Sequence, residues 1–250
     1  MKLRASLLLI LFLSMSCATT TMNTDKKKEI AVATQRLGEE YYNAGKYTSA
    51  LQNLLEAYRT IPNDPYLNNS LGLVYLAKDR SDLAETHFKK ALSLKPDYIH
   101  AKNNLGAVFM KQKKWDLAIQ CFTEVSENLL YATPEMPLSN LGWAYFNQKL
   151  YKKATYYFKK SLEVRPDFLI SIHGLASVYT ETGLYYQARD YLLRNLGKYP
   201  DAAILHADIA TVYEKLNDPV NARKSWQRVL NLVPETSSLA QEAQKKLYNH

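Results

Sequence analysis

The octapeptide SNLGWAYF, residues 139–146, belongs to a pattern that recurs along this 250-residue chain and indicates its fold. Two similar stretches precede it, NSLGLVYL at residues 69–76 and NNLGAVFM at residues 103–110. In each stretch, Leu-Gly is followed by two residues and an aromatic side chain, so the leucine and the aromatic lie on neighbouring turns of one helix face. The repetition indicates that the chain is built from copies of one helical unit.

Extending the alignment in both directions gives six repeats, spaced by 34, 34, 36, 34 and 34 residues. The leucine column contains Leu37, Leu71, Leu105, Leu141, Leu175 and Ile209. The small column that follows it contains Gly38, Gly72, Gly106, Gly142, Ala176 and Ala210. Further along each repeat come an alanine column (Ala50, Ala84, Ala118, Ala154, Ala188, Ala222) and a large apolar column (Leu54, Phe88, Phe122, Phe158, Leu192, Trp226). Proline ends five of the six repeats, at Pro62, Pro96, Pro166, Pro200 and Pro234.

Each column has a physical reason. Glycine inside a helix costs about 1 kcal/mol relative to alanine, so a glycine column predicts a place where two helices approach closely. The alanine column is expected to face that crossing, and the large apolar side chains to fill the space around it. Proline cannot continue a helix and therefore separates one repeat from the next.

These columns and the 34-residue period resemble the tetratricopeptide repeat family. The resemblance covers residues 31–236 and implies an all-α, right-handed superhelical solenoid of six helix hairpins, at residues 31–64, 65–98, 99–134, 135–168, 169–202 and 203–236. The tryptophan that the family motif often carries three residues before the leucine is missing from all six repeats. Residues 237–250 are predicted to form a capping helix with Ser237 or Ser238 as its N-cap.

The N-terminus has the pattern of an export signal. Lys2 and Arg4 precede an apolar run at residues 7–13, which is too short to span a bilayer but fits a secretory signal. Ser16 directly before Cys17 resembles the cleavage site of bacterial lipoproteins, although that motif prefers leucine where this chain has Ser14. We predict a signal peptide at 1–16, a lipid on Cys17 and a flexible tether at 17–30. The alternatives are an ordinary secretory signal or a short membrane anchor.

This export pattern predicts an outer-membrane lipoprotein that faces the periplasm, because Cys17 is not followed by the aspartate that commonly retains lipoproteins at the inner membrane. Removal of residues 1–16 would lower the formal charge from +8 to +6. An exported protein is not expected to bind nucleic acid. The lysines around the hairpin turns are then either solvated or in contact with anionic headgroups. They are Lys111, Lys113, Lys114, Lys149, Lys152 and Lys153.

No catalytic or metal-binding motif is recognisable. The five histidines are scattered over different repeats, without the spacing of metal ligands. Cys121 lies in an apolar helical pattern that predicts a buried structural thiol. We therefore predict no enzymatic activity, no cofactor, no metal and no small-molecule substrate.

The first helix of each repeat is expected to line an inner groove that binds a protein partner. Neighbouring asparagines could bond the N–H and C=O groups of an extended peptide, and apolar side chains beside them could act as anchors. The predicted groove residues are Asn69, Leu73, Asn103, Asn104, Met110, Asn140, Trp143 and Phe146. The fifth and sixth repeats, which place His173 and Asp208 on the same face, are expected to contribute less.

The 36-residue interval marks an insertion of two residues, which lies within residues 126–142, SENLLYATPEMPLSNLG. This insertion, the six repeats and the lipoprotein signal together resemble the pilotin lipoproteins of type IV pilus biogenesis. The resemblance implies that the protein binds the pilus secretin and aids its localisation and assembly in the outer membrane. The alternative is a periplasmic tetratricopeptide scaffold for cell-wall enzymes or outer-membrane assembly machinery.

Overall fold

The structure is a computed structural model that describes residues 24–128 and 131–248. The described residues form thirteen helices joined by short turns, so the all-α prediction is confirmed. The helices are α1 (24–43), α2 (Tyr47–Thr60), α3 (Pro65–Ala77), α4 (Ser81–Leu94), α5 (Ile99–Lys111), α6 (Trp115–Ser126), α7 (Glu135–Asn147), α8 (Tyr151–Val164), α9 (Leu169–Glu181), α10 (Tyr185–Leu196), α11 (Ala203–Lys215), α12 (Pro219–Leu232) and α13 (Ser238–Tyr248).

The turn inside each repeat uses one residue with left-handed backbone geometry. The φ angles of these residues lie between 56° and 76°, and their spacing reproduces the intervals of the leucine column. The left-handed residues are Gly45, Asp79, Lys113, Lys149, Gly183 and Asn217. A single left-handed residue reverses the chain in a tight turn, so every repeat is a helix–turn–helix element of one design.

The helices divide into two compact units, an N-terminal unit up to Gln112 and a C-terminal unit from Lys113 onward. In the N-terminal unit, Leu71 packs with Ala50 and Leu54 of the preceding hairpin. Leu37 is the exception in its column, since its side chain is 43% exposed where a buried residue was expected. The difference arises because no described hairpin precedes α1 to cover it.

In the C-terminal unit, Phe158 shows why the small column is small. The ring is fully buried, and a Cβ atom added at Gly142 would lie 2.6 Å from its Cδ1 and Cε1 atoms. A Cβ atom at Gly174 on α9 would approach the same ring to 2.3 Å. The expected close helix crossing is therefore present, and α9 packs closely against the same ring.

The helix termini differ from the sequence prediction in one place. Residues 24–30, assigned to a flexible tether, are helical and exposed in the described part of α1. Five of these residues carry charged side chains, which favour helix on a solvated surface over the expected coil. At the other end, the backbone N–H of Ala240 donates to Ser237 Oγ over 3.1 Å, which confirms Ser237 as the N-cap of α13.

The insertion at residues 126–142 is held in place at Glu135, the first residue of α7. The Glu135 side chain is buried and lies 3.5 Å from the Arg165 guanidinium. The Glu135 carbonyl accepts a 2.9 Å hydrogen bond from Ser161 Oγ, and Tyr131 is also buried. The start of α7 is thereby attached to α8. The predicted signal peptide, Cys17 and Leu130 of the insertion lie outside the described residues.

Candidate functional site

The first helix of each repeat forms an inner layer in both units. In the C-terminal unit α7 contacts α9, and α9 contacts α11, whereas no such contact joins α8 to α10 or α10 to α12. In the N-terminal unit α3 likewise contacts α5. Helices that touch lie closer together than helices that do not, so the touching layer is the concave one. The side chains of this inner layer are the candidates for binding a partner.

The inner face of the N-terminal unit contains a cavity of about 550 Å³ between α1, α3 and the start of α5. Its lining includes the predicted groove residues Asn69 and Leu73, together with Glu39, Tyr66 and Tyr98. Burial raises the pKa of Tyr98 to about 12, with Tyr66 adding to the shift, so its hydroxyl stays neutral at physiological pH. The cavity combines aromatic surface with polar groups, as ligand sites commonly do.

The polar groups of this cavity are partly satisfied within the fold. Glu39 Oε1 accepts hydrogen bonds from Ser70 Oγ at 2.6 Å and from Gln35 Nε2 at 2.9 Å. Asn104 Nδ2 donates to Asn69 Oδ1 over 3.0 Å, and Asn69 is buried. These two amides therefore have a structural role inside the unit, since their hydrogen bond joins α3 to α5.

The other predicted residues of the N-terminal unit keep more of their side chains available. Leu73, Asn103 and Met110 are half-buried. The Asn103 carbonyl oxygen is shielded from solvent and accepts no hydrogen bond. An unmet acceptor of this kind costs free energy in the folded state, which is characteristic of positions that serve a purpose other than stability.

The inner face of the C-terminal unit is built around Trp143. Its ring centroid lies 5.3 Å from those of Phe146 and Phe158 and 5.0 Å from that of His173. Asn140, one turn earlier on α7, is half-buried. Trp143 and Phe146 therefore belong to one half-exposed aromatic cluster on this face, while Phe158 beneath them is core.

His173 and Asp208, which were expected to contribute less than the asparagine positions, form a polar contact between α9 and α11. The His173 Nδ1–H donates to both carboxylate oxygens of Asp208, at 2.9 and 2.8 Å. Burial raises the pKa of Asp208 above its ordinary value, the hydrogen bond from His173 opposes that shift, and Glu242 on α13 adds to it. The two residues stand 35 positions apart, close to one repeat, and that spacing was the available signal.

Other chemistry is limited in the part of the chain that the structure describes. No group of three or more His, Cys, Asp or Glu side chains is placed to hold a metal ion within residues 24–128 and 131–248. Over the same residues, every helix is too short or too polar to cross a bilayer. Cys121 on α6 is half-buried, whereas the sequence pattern predicted a buried thiol.

Tetratricopeptide repeat family models match residues 36–99, 71–128 and 137–168 of the sequence. The chain belongs to the tetratricopeptide repeat family. Tetratricopeptide repeat domains mediate protein binding, and the family is a scaffold family without enzymatic activity. The fold class of the chain is the all-α solenoid that its leucine and glycine columns and their resemblance to this family implied.

Within this family, the chain is similar to the type IV pilus assembly protein PilF of Pseudomonas aeruginosa, with 28% identity over 170 residues, 66% of this chain and 68% of PilF. The solved structure of PilF superposes with a TM-score of 0.67 at 23% identity, covering 90% of this chain and 99% of that one. The solved structure of PilW, described as a widely conserved type IV pilus biogenesis factor, gives a TM-score of 0.75 at 21% identity. That match covers 86% of this chain and 98% of PilW, so the tetratricopeptide arrangement is shared over nearly its whole length.

Proposed function

We propose that this protein is an outer-membrane lipoprotein of type IV pilus biogenesis that binds the secretin subunit and aids its localisation and assembly. The observation that carries the proposal is the similarity to PilF, which extends over 170 residues and so exceeds the length of four repeats. The lipoprotein-like signal before Cys17 and the insertion at residues 126–142 support the same function. The membrane attachment in this proposal is through lipid on Cys17.

We assign partner binding to the inner faces of the two units. In the N-terminal unit the cavity beside Tyr66, Asn69 and Leu73 supplies apolar surface with polar groups at its wall. Asn103 and Asn104 continue the same layer on α5, where both side chains are half-buried. In the C-terminal unit the aromatic pair Trp143 and Phe146 supplies the kind of anchor that dominates binding energy at interfaces.

The test measures secretin capture from detergent-solubilised outer membranes by the full chain and by paired variants of each inner face. Tyr66→Ala with Leu73→Ala removes apolar surface from the N-terminal cavity, and Trp143→Ala with Phe146→Ala removes the aromatic pair. Since a good anchor contributes about 2 kcal/mol or more, either pair should lower the affinity by at least roughly thirtyfold.

A matched control truncates two side chains on the outer helices, Leu55→Ala with Leu94→Ala. Both leucines are 38% exposed, so this variant loses apolar surface without touching an inner face. Capture that stays at the parental level in both inner-face variants, with normal protein abundance, would remove the inner faces from the mechanism. Recovery of cell-wall enzymes in place of secretin would favour the general scaffold function.

A further inference from the structure

The two layers of the C-terminal unit carry opposite charge. Three of its outer helices, α8, α10 and α12, contain nine Lys and Arg residues but only two acidic residues, a net charge of +7. The remaining outer helix, α6, has a net charge of −2. The inner helices α7, α9 and α11 contain four acidic residues and one lysine, a net charge of −3. In the N-terminal unit the outer helices α2 and α4 each balance to zero. The positive charge of the chain is therefore concentrated on one face of one unit.

The repeat register places these basic residues on equivalent faces. Lys160, Arg194 and Arg228 each lie six residues after the buried alanine of their outer helix and are all exposed. The corresponding residues of α2, α4 and α6 are Glu56, Lys90 and Glu124. An uninterrupted column of three cations is thus confined to the consecutive outer helices α8, α10 and α12.

Much of this charge is not compensated inside the protein. Arg228 pairs with Asp201 at 2.7 Å, and Arg189 pairs with Asp190 at 2.8 Å. The side chains of Lys152, Lys159 and Lys224 form no ion pair or hydrogen bond with any residue in 24–128 or 131–248. Like charges gathered without counter-charges repel each other, and an anionic surface relieves that repulsion.

Exposed tyrosines accompany the cations on the same helices. Tyr156 is 53% exposed with Lys160 Nζ 5.4 Å from its ring centroid, and Tyr186 is 67% exposed with the Arg189 guanidinium at 5.2 Å. Leu193 and Val220 are exposed beside them. Tyrosine is amphipathic and favours the boundary between headgroups and hydrocarbon, where aliphatic side chains also lose contact with water.

We propose that the outer face of α8, α10 and α12 docks on the surface of an anionic phospholipid bilayer. The cations would contact the headgroup phosphates, and Tyr156, Tyr186 and Leu193 would enter the headgroup boundary. A single-stranded nucleic acid is the less suitable ligand, because proteins that bind it use a positively charged groove. Here the cations lie on the outer layer, and the inner layer is acidic.

The test compares binding of the full chain to phosphatidylcholine vesicles with and without phosphatidylglycerol. The ratio of the two affinities isolates the electrostatic contribution, since any membrane attachment through the N-terminus contributes equally to both. Each lysine near an anionic surface adds about fivefold to the affinity, so Lys152→Glu, Lys159→Glu and Lys160→Glu together should lower the ratio by about a hundredfold or more.

The control variant Lys198→Glu, Lys215→Glu and Lys245→Glu makes the same change in net charge with exposed lysines outside the three helices. Its ratio should stay close to that of the parent, and both variants should melt as the parent does and still capture the partner protein. An equal loss in both variants, or no loss in either, overturns the proposal. So does tighter binding of single-stranded DNA than of phosphatidylglycerol vesicles, if the first variant abolishes it.

Discussion

Phe158 is held between two glycines, and this single ring links three helices. A Cβ atom at Gly142 on α7 or at Gly174 on α9 would come closer to this ring than van der Waals contact allows. Gly142 could be recognised in the sequence through its column. Gly174 could not, because it stands where other repeats carry polar side chains. The contact explains why glycine is present inside two helices despite its low helix propensity.

We expect Gly142→Ala to destabilise the protein by roughly 1–3 kcal/mol, because the added methyl overpacks a buried ring. Thermal unfolding followed by circular dichroism measures the effect. Gly197→Ala is the control, since its added Cβ would meet nothing closer than 3.5 Å. Combining Gly142→Ala with Phe158→Leu should restore part of the loss. Strictly additive losses in the double mutant would show that the ring is not the obstacle.

The hairpin turns show how different residues serve one geometry. Lys113 and Lys149 adopt left-handed φ angles of 59° and 60°, where Gly45 and Gly183 occupy the equivalent turns. A side chain in this region costs about 1–2 kcal/mol relative to a right-handed conformation. The lysines at these two turns therefore carry backbone strain that the glycine turns avoid.

Lys149→Gly should raise the free energy of unfolding by about 0.5–1 kcal/mol, the relief of strain less the greater flexibility of glycine in the unfolded chain. Lys152→Gly is a matched control on the same stretch, because Lys152 lies inside α8 and the change should cost about 1 kcal/mol. Denaturant titration of both variants reports the two signs. A decrease in stability for Lys149→Gly would contradict the assigned turn geometry.

Our proposal attaches the whole molecule to the membrane through lipid on Cys17, which lies outside the described residues. We predict that metabolic labelling with palmitate marks the protein and that Cys17→Ala abolishes the label. A multiply acylated cysteine anchors firmly, because each buried CH₂ contributes about 0.8 kcal/mol. Cys121→Ala should keep the label, as Cys121 lies in α6. Absence of label in the parent protein would exclude lipid attachment and leave an ordinary secretory signal or a short membrane anchor.

Much of the fold could be predicted because the repeat packs the same way in each copy. The alanine column, from Ala50 to Ala222, is at most 4% exposed, and the large apolar column is at most 2% exposed. Periodicity specifies such positions, since a residue that faces the crossing in one copy faces it in all. The candidate site was less predictable, because the inner layer differs from repeat to repeat. Asn69 and Asn104 were recognised as amides of this layer, but not as partners of each other.

The helical repeat, its register and the residues that seal each hairpin are readable in the amino-acid order, since they follow from short-range spacing and side-chain size. The packing of neighbouring repeats established which polar groups bond to each other inside the fold, such as Asn69 with Asn104, and which meet across repeats, such as His173 and Asp208. It also decided that Leu37 stays exposed while its counterparts are buried. The physical reason is that burial and hydrogen bonding depend on the neighbouring helix, whereas the periodic pattern records only the position of a residue on its own helix.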